Sequence, residues 1–96
     1  MSTTAITSQT AAATSSDIAV ASGDMIQIWV SPPLEPGETV DLYRYDGSSE
    51  EERVIEDGVA LTLDSKNLSM VVTGPVNALR LKKSVTGTAT AVYYDA

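Results

Sequence analysis

At 96 residues the chain is long enough for one domain with a modest core. It contains no Cys and no His, which removes disulfides, thiol chemistry, the usual general base near neutral pH and the commonest metal ligands. Its net charge is −7, with no Lys or Arg before Arg44, so it repels phosphate, and neither nucleic acid nor an anionic membrane is expected as a partner. No stretch approaches the ~18 apolar residues of a membrane span. The N-terminus has neither the basic nor the apolar region of a secretory signal. Phe is absent, and Val, Ile, Thr and Tyr, all strand formers, carry the pattern.

Residues 1–16 are dominated by Ser, Thr and Ala, and Ile6 is the one large aliphatic residue from Ser2 to Ser16. This composition predicts an extended N-terminal arm, ahead of a single domain over 17–96. Asp17–Ala21 alternates, with Ile18 and Val20 on one face. Ser22-Gly23-Asp24 reads as a turn, and Met25–Ser31 as the next strand of a hairpin. Its inward set is Ile26, Ile28 and Val30, and its outward set is Met25, Gln27 and Trp29. Pro32–Gly37 is excluded from a central strand and is the best candidate for a crossing between sheets.

Thr39–Tyr45 sets Val40 and Leu42 against Asp41, Tyr43 and Tyr45. Six acids then crowd Asp46–Asp57 around Arg53, in a run expected to be a solvated hairpin tip. Their spacing matches no calcium loop, and no metal site is assigned. Asp57-Gly58 is a strong hairpin signal. Val59, Leu61 and Leu63 are expected to face inward, as are Leu68, Met70 and Val72. Thr73-Gly74-Pro75 predicts a second hairpin turn into Val76–Lys83, whose Leu79 and Leu81 oppose Arg80 and Lys82. Thr88–Tyr94 closes the chain with small, uncharged residues.

The spacing of these segments predicts an all-β fold, an antiparallel β-sandwich of about seven or eight short strands with an extended N-terminal arm. No catalytic residue, cofactor or metal is assigned, and no enzyme is expected. Acids are plentiful for glycoside chemistry, but all fall in turns or on wet faces. Two uncharged, β-compatible ends invite strand addition. Partner-binding candidates are therefore Thr3, Thr4, Ile6 and Thr7 in the arm, and Thr88, Thr90, Val92 and Tyr94 in the terminal strand, expected to be an edge. Tyr43 and Tyr45, on one face of one strand, are candidates for a protein contact. With Trp29, Tyr93 and Tyr94 they are also candidates for a sugar-binding surface.

Several features resemble small bacteriophage virion proteins. They are the Thr/Ser/Ala-rich start ending in Ser15-Ser16-Asp17-Ile18-Ala19-Val20, Gly23 before a strand, Thr73-Gly74-Pro75-Val76 leading to Leu79-Arg80-Leu81-x-Lys83, and the small-residue strand Ala89–Val92. Val76 stands where such proteins commonly carry a second Gly after Gly-Pro, and Ala78-Leu79 where an aromatic is common. The resemblance implies a capsid decoration (cement) protein, made in the host cytoplasm and bound to the capsid exterior. It implies the major capsid protein as partner, with a further copy of the chain as another. A tail or head-fibre accessory protein, and a carbohydrate- or host-surface-binding module, stay open as alternatives.

Overall fold

The structure, a computed structural model, describes residues 2–45 and 51–95. Within them the chain forms twelve short strands and no helix. The strands are β1 (Ser2–Gln9), β2 (Ala13–Thr14), β3 (Ile18–Val20), β4 (Met25–Ser31), β5 (Val40–Tyr45), β6 (Glu51–Arg53), β7 (Ile55–Glu56), β8 (Val59–Ala60), β9 (Thr62–Leu63), β10 (Ser69–Thr73), β11 (Val76–Lys83) and β12 (Thr90–Asp95). Two antiparallel sheets result. Sheet A runs β1-β12-β4-β10, and sheet B runs β2-β11-β5-β6, with β3 also on β11 and β9 also on β5. The expected sandwich is present, and its strand count is higher because two expected strands are broken and the N-terminal segment adds β1 and β2.

The break lies at Leu42. Its N–H donates to the Leu61 carbonyl (3.2 Å), and its own carbonyl accepts from Val54 N–H (3.0 Å). One half of β5 therefore pairs with β6 and the other half with β9. The intervening β7–β8 hairpin leaves the sheet, turning through Asp57 and Gly58, both at positive φ. Departure from the sheet takes Val59 out of the core. It is 64 % exposed, contrary to the alternation, whereas Leu63 is fully buried.

Elsewhere the period of two holds apart from register shifts in β1 and β11. Ile26, Ile28 and Val30 of β4, Val72 of β10, Ile6 of β1 and Val92 of β12 face Ile18, Val20, Val40, Leu42, Leu79 and Leu81 across the interior. The core is aliphatic. Trp29 and the four Tyr all stay partly exposed.

Two connections and one strand position differ from the sequence expectation. Ser22-Gly23-Asp24 joins β3 of sheet B to β4 of sheet A, so it is a crossing rather than a hairpin turn. Thr73-Gly74-Pro75 likewise carries β10 of sheet A into β11 of sheet B. The two crossings pack on each other. Gly74 N–H donates to the Asp24 carbonyl (2.9 Å), and a Cβ at Gly74 would collide with the carbonyl oxygens of Ala21 and Val20. Turn chemistry signals a reversal, but which sheet receives the next strand depends on distant partners. The Pro32–Gly37 segment does cross between sheets, from β4 to β5, and buries Leu34 on the way.

The third difference is β12, which lies between β1 and β4 and is not an edge. Its residues are small and uncharged because Thr90, Ala91 and Val92 are buried. Residues 2–16 lie along the molecule's own sheets. Here β1 pairs with β12 and β2 with β11. Ser15 links the segment to β11 twice, its N–H donating to the Leu81 carbonyl and its hydroxyl accepting from Leu81 N–H, each at 2.9 Å. Lys83 holds it further along, donating from a buried side chain to the Ala11 carbonyl (2.9 Å).

Gly74→Ala is expected to lower unfolding free energy by about 1–3 kcal/mol or more, the usual cost of forced overpacking. Gly87→Ala, whose nearest neighbour would be Glu38 Oε2 at 3.8 Å, should leave the urea midpoint unchanged. Leu81→Ala, at a fully buried position, should cost about 2–5 kcal/mol in the same titration.

Candidate functional site: the outer faces of the two sheets

The outer faces of the sandwich have opposite chemistry. On sheet B, Tyr43 and Tyr45 project from β5 beside Arg80 and Lys82 of β11 and Arg53 of β6. Each ring is covered by a cation. Lys82 Nζ lies 4.5 Å from the Tyr43 centroid, the Arg53 guanidinium 5.3 Å from the same ring, and the Arg80 guanidinium 4.2 Å from that of Tyr45.

The cations are paired in turn. Arg80 Nε donates to Asp17 Oδ1 at 2.5 Å, and Arg80 Nη1 lies 3.4 Å from Glu51 Oε1. Lys82 Nζ is 2.9 Å from Glu51 Oε2, and Arg53 Nη2 is 3.6 Å from Asp41 Oδ1. Arg53 also donates to the Leu61 carbonyl (3.0 Å) and to the Thr62 hydroxyl (2.5 Å). This face is a self-neutralised lattice. Stacking a sugar on Tyr43 or Tyr45 would first require displacing a paired cation.

Charge pairing sets the local ionisation. The hydrogen bond from Arg80 holds the Asp17 carboxyl below its ordinary range, and Asp17 raises Arg80 correspondingly. Glu51 is held low chiefly by its hydrogen bond from Lys82, with Arg80 adding to it. Glu38 is held low by backbone N–H donors, first Glu35 (2.8 Å) and then Gly87 (2.7 Å). Burial pushes Lys83 down, against the opposing attraction of Glu38.

Among the described residues, Asp95 is the one charged group on the outer face of sheet A. Cross-strand register places Thr4, Tyr93, Trp29 and Ser69 in one row, and Ser2, Asp95, Gln27 and Val71 in the next. Met25 pairs with Thr73 beyond them. The Trp29 and Tyr93 rings stack with centroids 5.9 Å apart and planes inclined by 27°. Met25 and Val71 are 63 % and 53 % exposed. Aromatic anchors flanked by neutral hydroxyl and amide groups can bind a protein surface while desolvating little charge, Asp95 being the charged residue of the next row.

A groove of about 580 Å³ opens beside β10, lined by Val54, Ile55, Val72, Pro75, Arg44 and Glu52 among others. The sandwich gapes here because β6 and the β7–β8 hairpin do not close onto β10.

The sequence-derived candidates are scattered by the fold. Thr3, Thr4 and Thr7 are exposed on β1, and Thr88 is exposed in the loop before β12. Ile6, Thr90 and Val92 are interior, so no surface of this fold offers them to a partner. Tyr94 packs partly against the core, and Tyr43 and Tyr45 lie under their cations. Of the acid run, Asp46 and Glu50 lie outside the described residues, while Glu51 is an ion-pair partner rather than a solvated tip. Met25, Val71 and Gln27 are not among the binding candidates that the sequence offers, whereas Tyr93 is among its aromatic ones. Alternation alone places Met25, Gln27 and Trp29 outward together. Nothing local places Tyr93 and Val71 beside them.

Comparison with protein-family models, with curated proteins and with solved structures finds no match to this chain.

Because Asp17, Glu38 and Glu51 are held low in the folded state, their contribution is complete above the ordinary carboxylate range. It is lost as pH falls through their folded values. The melting temperature should therefore be flat from neutrality to about pH 5 and fall below about pH 4. Glu51→Gln should shrink the acid-side drop in a pH series of thermal melts.

Proposed function

We propose that this domain is a structural docking module, a decoration protein that seats on the repeated protein surface of a bacteriophage capsid. The observation that carries this reading is the segregation of charge. A chain of net charge −7 keeps one whole sheet face nearly uncharged and centres it on a stacked Trp29–Tyr93 pair. An acidic body is repelled by packaged DNA, which favours the outer side of a shell. The ion-paired face of sheet B then points to solvent. Docking through sheet A keeps the charged groups hydrated, so little is lost to desolvation at each site. Repetition over a lattice multiplies a modest gain per copy.

The N-terminal segment supports docking from within the fold. Truncation of residues 1–15 would remove β1 and take Ile6 out of the core. Such a truncation tests folding before it tests docking, and point changes on the sheet A face are the sharper probe.

A second reading draws on the same face. Trp29 and Tyr93 beside Gln27, Thr4 and Ser69 combine aromatic rings with neutral hydrogen-bonding groups, a combination that also suits a neutral glycan. The earlier sugar candidates Tyr43 and Tyr45 have no part in it.

The test is co-expression with the major capsid protein encoded in the same genome, followed by gradient sedimentation of the assembled shells. The chain should sediment with the shells in a copy number matching the lattice. Trp29→Ser with Tyr93→Ser should weaken retention by about tenfold or more, as loss of aromatic anchors worth about 2 kcal/mol implies. Tyr43→Ala with Tyr45→Ala should keep it. Shells that sediment bare, or a genome without a capsid protein, would overturn the capsid reading. Glycan capture abolished by the Trp29/Tyr93 change would then establish the second.

A further inference from the structure

Sheet edges attract other strands, and folded proteins blunt them by shortness, charge, proline or bulges. Three of the four sides here are blunted. On sheet B, β2 has two residues and β3 three, while on the other side β6 carries Glu51, Glu52 and Arg53 and β9 has two residues. On sheet A, β1 is long, but its register against β12 shifts twice, between Thr4 and Ile6 and again between Ile6 and Gln9. The fourth side, β10, carries none of these devices. Its five residues, Ser69-Met70-Val71-Val72-Thr73, hold an unbroken register against β4 and include no charge and no proline.

Exposed apolar side chains gather at that same edge. Val71 is 53 % exposed on β10 itself, and Met25, opposite Thr73, is 63 % exposed. Ile55, 63 % exposed, lines the groove alongside Thr73. An unblunted edge ringed by exposed apolar residues is a docking surface.

We propose that its occupant is a second copy of this chain, with β10 against β10, antiparallel, about a two-fold axis at Val71. The strand is complementary to itself. That register sets Val71 against Val71, Met70 against Val72 and Ser69 against Thr73, pairing like with like on each face. It opposes no charge to a like charge, on a molecule whose net charge of −7 disfavours self-approach almost everywhere else. The interface is isologous and closes at the dimer, so it does not propagate into fibres. Two four-stranded sheets become one continuous sheet, and the backbone groups of both β10 edges gain partners. The Trp29–Tyr93 pair lies on the sheet face rather than the edge, so it remains available, and the dimer does not rest on the capsid reading.

The test is the mass of the isolated full chain by sedimentation velocity and light scattering over a dilution series. The expected result is twice 10.1 kDa, with dissociation on dilution. Val71→Lys should give a monomer with an unchanged circular dichroism spectrum. Since the chain has no Cys, Val71→Cys gives a clean second measurement. Mild oxidation should link it into a covalent dimer faster than Val85→Cys, which is 69 % exposed but distant from the edge. A monomer at every concentration, a dimer untouched by Val71→Lys, or equal cross-linking of the two cysteine variants would overturn the proposal. Loss of the dimer with shell binding intact separates this inference from the functional reading.

Discussion

The fit of Gly74 against the backbone of Ala21 and Val20 is the constraint on which the sandwich depends. At that point the crossing from β3 to β4 and the crossing from β10 to β11 touch, tied by the hydrogen bond from Gly74 to Asp24. Both sheets meet there with no side chain between them. A Cβ would drive the crossings apart and shift β4 and β11 relative to each other. Those two strands carry much of the core, including Ile26, Ile28 and Val30 on one side and Leu79 and Leu81 on the other. Close backbone approach through glycine is a tertiary requirement that happens to sit inside a Gly-Pro turn motif.

Around that core, charge is sorted rather than spread. Sheet B collects Asp17, Asp41, Glu51, Arg53, Arg80 and Lys82 into mutual pairs, with the Tyr43 and Tyr45 rings filling the space between them. Individually such half-exposed pairs contribute little to stability. Their collective effect is to neutralise most of the charge on that face internally. Sheet A is left, Asp95 apart, with aromatic, aliphatic and neutral polar groups. On a small protein with a high net charge, an uncharged face is where another protein approaches at least electrostatic cost, and the open edge beside it adds backbone groups to the same side of the molecule.

Much of the fold was legible locally. Alternation identified the inward residues of β3, β4, β5, β10 and β11, because a period of two is a property of the strand alone. The crossing at Pro32–Gly37 was legible because proline removes donors that a paired strand needs. The two remaining crossings were not, since Gly23 and Gly74 serve equally well in a hairpin or between sheets. The small residues of β12 suggested an edge, but they reflect burial on both faces. The candidate site was less legible than the fold. Tyr43 and Tyr45 share a face as expected, but the cations above them come from residues 10 to 39 positions away in sequence.

Composition and periodicity by themselves determined that this is an acidic, helix-free β-sandwich with an aliphatic core, because strand propensity, alternation and turn residues act over a few positions. Only the tertiary structure decided which strands are neighbours. That choice made an edge of β10 and an interior strand of β12. It covered the tyrosines of sheet B and brought Trp29 of β4 against Tyr93 of β12. The physical reason is that pairing between distant strands depends on how two sheets fit across a shared core, and no local window of residues contains that fit.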